Sequence, residues 1–254
     1  HVGDYHYRES ECPPSQPQCQ GAVPGDQWES WAQDFFVPAK PLLKAAPWLF
    51  VRGNHESCAR AGRGWFLLLD PRPAGEACVD KTPPYRVQWG GLSLAVVDSA
   101  EHENTLASLS ALAKSPQTGE WLVTHRPFLA PRQEHGIGET QVTLPRGMRG
   151  DQNLGWVMAG HVHLGMISQF TDTRPPELVV GNSGTKMLSP RKSFVHADSK
   201  ATVVNEFGFA TLEWQSDSHW IVSERNEAGV EIVQCDLKLN PGKKSQIQCR
   251  EAKR

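Results

Sequence analysis

Short apolar runs set off by glycine, proline and charge organise this chain. Trp48-Leu49-Phe50-Val51, Leu92 to Asp98, Trp121-Leu122-Val123-Thr124 and Trp156-Val157-Met158-Ala159 each read as a buried strand, because a short unbroken apolar run suits a strand covered on both faces. Between them the spacing turns helical. Trp28, Trp31, Phe35 and Phe36 follow Asp26, a suitable N-cap, and predict a helix of core aromatics that Pro38 or Pro41 interrupts or ends. Pro41 to Ala46 reads as a further short turn of helix. Leu106, Leu109 and Leu112 predict a modest amphipathic helix from Asn104 to Lys114, stopped by Pro116. Later strand signals at Glu177 to Val180, Gly208 to Trp214, His219 to Ser223 and Val230 to Cys235 look antiparallel and hairpin-connected. Strands alternating with helices, then hairpins, predict an α/β fold in layers, with sheets between helices.

Composition narrows this little. At 254 residues, with 39% hydrophobic and 21% charged positions, the chain is an ordinary globular one and reads as one domain. A formal net charge of −2 offers no broad field to draw nucleic acid or an anionic membrane, and no long apolar run predicts a membrane span. From Asp236 to Arg254, six Lys/Arg stand against two Asp/Glu, which predicts a basic, solvated C-terminal tail over 236–254. Six cysteines at 12, 19, 58, 78, 235 and 249 show no C-x-x-C spacing, so disulfides are the better account. Sequence neighbours suggest Cys12 with Cys19, Cys58 with Cys78 and Cys235 with Cys249, implying an oxidising compartment, periplasmic or extracellular.

The chemistry gathers where the strand signals end. Gly160-His161-Val162-His163 closes one run, and in an extended backbone residues two apart project to the same side, so both imidazoles would face one pocket. Asn54 and His55 follow Leu49 to Val51, and His125 follows Leu122-Val123. Asp4, after Gly3, is placed as a carboxylate at a strand end, where open α/β sheets build sites. One carboxylate, one amide oxygen and three histidines suit zinc, iron or manganese better than calcium or magnesium.

In this order, Gly3-Asp4, Gly53-Asn54-His55-Glu56, His125 and Gly160-His161-Val162-His163 resemble the calcineurin-like metallophosphoesterase superfamily. Gly3-Asp4-Tyr5-His6-Tyr7 is similar to the G-D-x-x-Y form of its purple-acid-phosphatase-like branch. The resemblance covers His1 to about Thr185 and implies a layered sandwich of two mixed β-sheets flanked by helices. It implies two divalent or trivalent metal ions (Fe, Zn or Mn), bridged by Asp4, with Asn54, His125 and His161 on one and His163 on the other. His55 would donate a proton to the leaving group. Tyr7 has two readings, a metal-bound phenolate or a loop tyrosine packing beneath the site. The superfamily's first block, D-x-H or D-x-G, is absent, and the resemblance therefore implies a domain over 1–235 lacking its N-terminal strand or strands.

The implied activity is metal-dependent phosphoester hydrolysis, most directly of a phosphorylated small molecule carrying a monoester, with nucleic acid and membranes not expected as partners. A phosphodiesterase or nucleotide hydrolase could use the same ligands, and a non-catalytic binding protein could keep the fold without the first metal. Arg126 reads either as a contact to substrate phosphate or as a surface ion pair, and Arg52 and Arg60 share that ambiguity. Asp98 reads as structural, and Glu56 as a support bonded to backbone or to a ligand histidine. The Gly-rich segment Arg132 to Arg149 is long for a loop and predicts a mobile rim over the site.

Overall fold

The computed structural model describes residues 1–254 apart from 16–18, 20, 73–76, 102–103, 130–142, 189–197 and 252–254. Its backbone is a mixed α/β arrangement with two sheets. The first has seven strands: β1 (Tyr85–Trp89), β2 (Leu92–Val97), β3 (Glu120–Thr124), β4 (Leu154–Ala159), β5 (Gly165–Phe170), β6 (Glu177–Val180) and β7 (Ser199–Val204), in spatial order β1-β2-β3-β4-β6-β5-β7. β2, β3, β4 and β6 run parallel at its centre, while β1, β5 and β7 pair antiparallel. The second sheet is wholly antiparallel: β8 (Gly208–Ser216), β9 (His219–Asn226), β10 (Glu231–Lys238) and β11 (Gln246–Glu251) form a meander in chain order. The hairpins from Gly208 onward are as expected, but Glu177 to Val180, expected among them, is β6 of the first sheet, parallel to β4 and antiparallel to β5.

Period-two alternation sorts the central strands between two cores. Leu94, Val96, Trp121, Val123 and Trp156 face the second sheet, meeting Val222, Val233, Leu237 and Ile247. Their neighbours Ala95, Val97, Leu122 and Val157 face the opposite way, against Leu109 and Leu112 of helix Asn104–Leu112. Both faces are therefore covered, which is why these strands read as continuous apolar runs. Trp121 meets Trp220 across the two sheets, edge to face at 5.0 Å.

Several expectations need correction. Asp26 is not the N-cap. Gln27 takes that position, and Asp26 instead accepts hydrogen bonds from the Trp31 indole at 2.8 Å and the Gly64 N–H at 3.0 Å. Nor do the prolines stop the first helix, which runs from Trp28–Trp31 through a π-turn at Ala32–Phe36 into Val37–Leu43. Pro38 follows the π-turn and Pro41 lies inside the last stretch, and a proline in a helix interior costs about 3 kcal/mol. Burial of Trp31 and Phe35, at roughly 1.5–3 kcal/mol each, offsets it. The run Leu49 to Val51 is extended without joining either sheet. It lies beside the chain's first residues, with the Val51 N–H donating to the His1 carbonyl at 3.1 Å.

The segment expected as a solvated tail is strand β11. Ile247 is buried, and Cys249 lies directly opposite Cys235, to which it is disulfide-bonded. Lys243 and Lys244 stand together in the preceding turn, so the basic residues decorate a hairpin that alternating Ile247 and Cys249 hold to the core. The other two disulfides also join sequence neighbours, Cys12 to Cys19 and Cys58 to Cys78. Of the predicted rim, residues 130–142 lie outside the described residues. Its remainder brings Leu144 and Met148 into the core beneath helix Asn104–Leu112, so that part is packed.

One buried charge stands out. Glu224 on β9 is fully buried, and neither carboxylate oxygen has a hydrogen-bond partner of normal geometry. Burial pushes its carboxyl from the ordinary 4.5 up to about 7, with the Asn182 amide pulling weakly the other way. The folded chain thus holds a proton that the unfolded chain has released. Stability should fall as pH rises from about 4.5 through about 7, by up to roughly 3 kcal/mol from this group. Urea midpoints at pH 5 and pH 8 test this: Glu224→Gln should shrink the difference between them.

Candidate metal centre

Four strand or loop ends converge on one point. Thr124 ends β3, and His125 follows it into the site with its side chain almost wholly buried. The His125 Nδ1–H donates to the Val2 carbonyl at 2.7 Å. That bond directs Nε2 to the other side, where it lies 2.9 Å from Asn54 Oδ1, 3.1 Å from His161 Nδ1 and 3.3 Å from Asp4 Oδ1. Asn54 opens the single 3-10 turn Asn54–Glu56 that follows the extended run ending at Gly53. His161 follows β4, and Asp4 follows Gly3.

The approach is close enough to demand glycine at two positions. A Cβ on Gly3, whose φ is +99°, would come 2.3 Å from His125 Nδ1. A Cβ on Gly53 would come 2.2 Å from Asp4 Oδ1. Asp4 and His161 are themselves left-handed, at φ +59° and +65°, although neither is glycine. Such conformations cost energy and cluster at functional sites.

Beneath the cluster sits Glu56, fully buried. Its Oε1 accepts the N–H groups of Tyr5 at 2.7 Å and His6 at 3.1 Å, and its Oε2 those of Asp4 and Gly53, each at 3.0 Å. One carboxylate therefore sews the Asp4 loop to the Asn54 turn. Burial, and next the charge of Asp4, push its carboxyl up to about 7. Burial opposes ionisation of Asp4 too, but there His125 and the His55 N–H, 3.2 Å from Oδ1, hold its pKa well below the usual carboxylate range. Burial likewise disfavours charge on His125, and the Asp4 carboxylate outweighs it and raises the histidine.

The donor set fits a metal. With Nδ1–H engaged by Val2, the neutral His125 ring presents Nε2 as an acceptor facing two further acceptor oxygens, Asn54 Oδ1 and Asp4 Oδ1. A proton or a cation must lie among them. Among the described residues, the ligand atoms of Asp4, His125 and His161 all fall within 4.8 Å of one another. Carboxylate, amide oxygen and imidazole together are the chemistry of zinc, iron or manganese.

The other predicted residues take different places. His163 does not join that cluster: its Nδ1–H donates to the Lys186 carbonyl at 2.9 Å. β4 ends at Ala159 and His161 turns left-handed, so the two histidines do not sit on a continuing strand. Both still line a cavity of about 440 Å³ with Asp4 and Tyr7. The Tyr7 hydroxyl donates to Asp4 Oδ2 at 3.2 Å, and burial followed by that carboxylate keeps the phenol protonated well past its ordinary range. Arg126 donates to the Ser99 carbonyl at 3.1 Å and to His161 Nε2 at 3.1 Å. Arg52 is structural, its guanidinium buried against Asp98 at 3.2 Å and its Nε donating to the Glu56 carbonyl at 2.8 Å. His55 is flanked by Arg60 and by Glu9, a residue whose place no sequence spacing signals.

If Glu56 holds the ligand loops in register, removing its charge loosens them. Glu56→Gln should weaken zinc binding by about 10–100-fold, as losses outside the ligand shell do, and competition titration against a chromophoric chelator measures it.

Comparison with known proteins points one way. Residues 1–165 match the family model described as calcineurin-like phosphoesterase. Among solved structures, the chain is similar to purple acid phosphatase PPD1 from yellow lupin (Lupinus luteus) seeds, with a TM-score of 0.56 at 15% identity, covering 80% of this chain and 42% of that one. GAP50, the anchor in the inner membrane complex of Plasmodium, matches less well, with a TM-score of 0.40 at 16% identity over 67% of this chain and 60% of that one. The chain thus spans less than half the length of the lupin protein. No curated protein sequence matches it at a significant level.

Proposed function

The chain belongs to the calcineurin-like phosphoesterase family, and from that premise we propose that it is a metal-dependent phosphomonoesterase acting on a phosphorylated small molecule. The observation that supports this best is the convergence of Asn54, His161 and Asp4 on His125 Nε2. On this reading Asn54, His125, His161 and Asp4 would hold one metal ion, and Asp4, His163 and Tyr7 would serve a second. Iron, zinc and manganese are the candidate metals. When bound, such a pair supplies an activated hydroxide and offsets charge on the phosphate oxygens.

This chain's own residues do the rest. His55 donates a proton to the leaving oxygen, a task suited to an imidazole held close to the reacting phosphate. Arg126, already beside His161, contacts a phosphate oxygen through its guanidinium. The cavity beside these residues runs from Asp4 and His163 past Leu49, Leu94 and Met158 to Ala210 and Leu212 of β8. The three disulfides favour a periplasmic or extracellular setting.

A second reading rests on His163, which stands apart from the three-residue cluster. It makes the chain a non-catalytic binding protein that holds at most one metal. Elemental analysis of purified protein separates the two: two ions per chain supports the hydrolase, and one or none supports the binding protein. His55→Ala is expected to lower turnover at least about 100-fold, the usual share of a general acid, while metal content stays unchanged. Unaltered turnover would remove His55 from the acid role.

A further inference from the structure

Cys58 stands two residues beyond the Asn54–Glu56 turn and is disulfide-bonded to Cys78. One buried guanidinium joins that bridge to the turn. Arg52, 2% exposed, donates through Nε to the Glu56 carbonyl at 2.8 Å. One of its terminal nitrogens donates to the Val79 carbonyl at 2.7 Å and to Asp98 at 3.2 Å, and the other points at both sulfurs, each at 3.6 Å. Sulfur is a weak acceptor, so the bridge acts on Arg52 chiefly through the backbone it fixes. It clamps residues 56–58 to residues 78–80, which belong to no helix or strand, and Arg52 spans the clamp. The Cys58 N–H crosses it too, donating to Asp80 at 3.2 Å.

The chain beyond Cys58 folds back on the same turn. The Ala61 N–H donates to the His55 carbonyl at 3.1 Å, and a Cβ on Gly62 would come 2.5 Å from Cys78 Sγ and 2.9 Å from the Ser57 carbonyl oxygen. The bridge is therefore wedged between the turn that carries Asn54 and the helix Gly62–Leu68. Both cysteines are only half-buried, within reach of a small reductant.

We infer that the Cys58–Cys78 bridge is a redox switch on the metal centre. Closed, it holds Arg52, and through it the Asn54–Glu56 turn, in the geometry that binds metal. Opened, it releases the segment around Val79, Arg52 loses its fixed partners, and metal affinity falls. The inference rests on Asp4, Asn54, His125 and His161 holding a metal. Opening is a two-electron reduction by a dithiol. A thiolate of the reductant attacks one cysteine sulfur, the sulfur–sulfur bond breaks, and the other cysteine leaves and takes up a proton. The second thiol of the reductant then displaces the first cysteine, which is protonated in turn, and the reductant departs as a disulfide. Metal loading is thereby tied to an oxidising compartment.

Zinc affinity is the readout, by competition titration of the full chain against a chromophoric chelator. Reduction with a phosphine, removed before titration, should weaken zinc binding about 10–100-fold, as losses outside the ligand shell do, with the far-ultraviolet circular dichroism unchanged. Cys58→Ser with Cys78→Ser should show the same loss untreated and no further loss on reduction. That outcome assigns the effect to this bridge rather than to Cys12–Cys19 or Cys235–Cys249, and excludes capture of zinc by freed thiols. Arg52→Lys, kept oxidised, should lose affinity and respond less to reduction. By linkage, zinc must protect the bridge from reduction by the same factor that reduction weakens zinc.

Equal affinities of the oxidised and reduced chains overturn the inference. So does a loss that the double serine variant fails to reproduce, or one that accompanies unfolding seen by circular dichroism. If the oxidised chain itself binds no zinc, the metal reading falls first.

Discussion

The geometry of the site depends on one carboxylate buried beneath it. Glu56 gathers four backbone N–H groups from two separate stretches of chain, so the loop that carries Asp4 and the turn that carries Asn54 share a single anchor. Unpaired, each of those donors would cost about 1–3 kcal/mol in a site this buried. Both loops are irregular backbone without a ladder to satisfy them, and Glu56 does for them what a neighbouring strand does elsewhere. Arg52 extends the arrangement downward, from the Glu56 carbonyl to the buried Asp98. The Asp4 and Asn54 loops are thus held from below by a chain of charge-assisted hydrogen bonds.

Above this foundation the sandwich acts as an aiming device. The parallel strands β3 and β4 end at the same edge of the sheet, which brings His125 and His161 within 3.1 Å although they are 36 residues apart. The register is secured by side chains buried on both faces, since a slip by one residue would exchange the two cores. Precision in the placement of His125 and His161 is therefore inherited from the packing of Trp121, Trp156 and Val157.

Much of this was legible in the amino-acid sequence, and the reasons differ by residue. Central strands announce themselves because burial on two faces makes them apolar throughout, as in Trp121 to Val123. Asp4, Asn54, His125 and His161 were legible because their side chains are of metal-donor type and each block carries its own glycine or strand end. Strands β5 and β7 were not foreseen: Gly165-Met166-Ile167-Ser168-Gln169 mixes polarity, and its Ser168 is nevertheless buried. β11 was masked by the charge of its turn. The course of the first helix was hidden because a π-turn, which no residue pattern announces, admits the prolines. His163 was grouped with His161 on the premise of an extended backbone, which the left-handed His161 breaks. Glu9 and Tyr5 depend wholly on tertiary placement, and spacing along the chain says nothing of them.

The left-handed backbone at Asp4 and His161 sets how the chain tolerates change. An L-residue there costs about 1–2 kcal/mol that glycine would not, so Asp4→Gly or His161→Gly relieves strain at the moment it deletes a ligand. Selection for stability and selection for the metal site therefore pull in opposite directions at these two positions. A descendant released from that chemistry would be free to drift toward glycine at both.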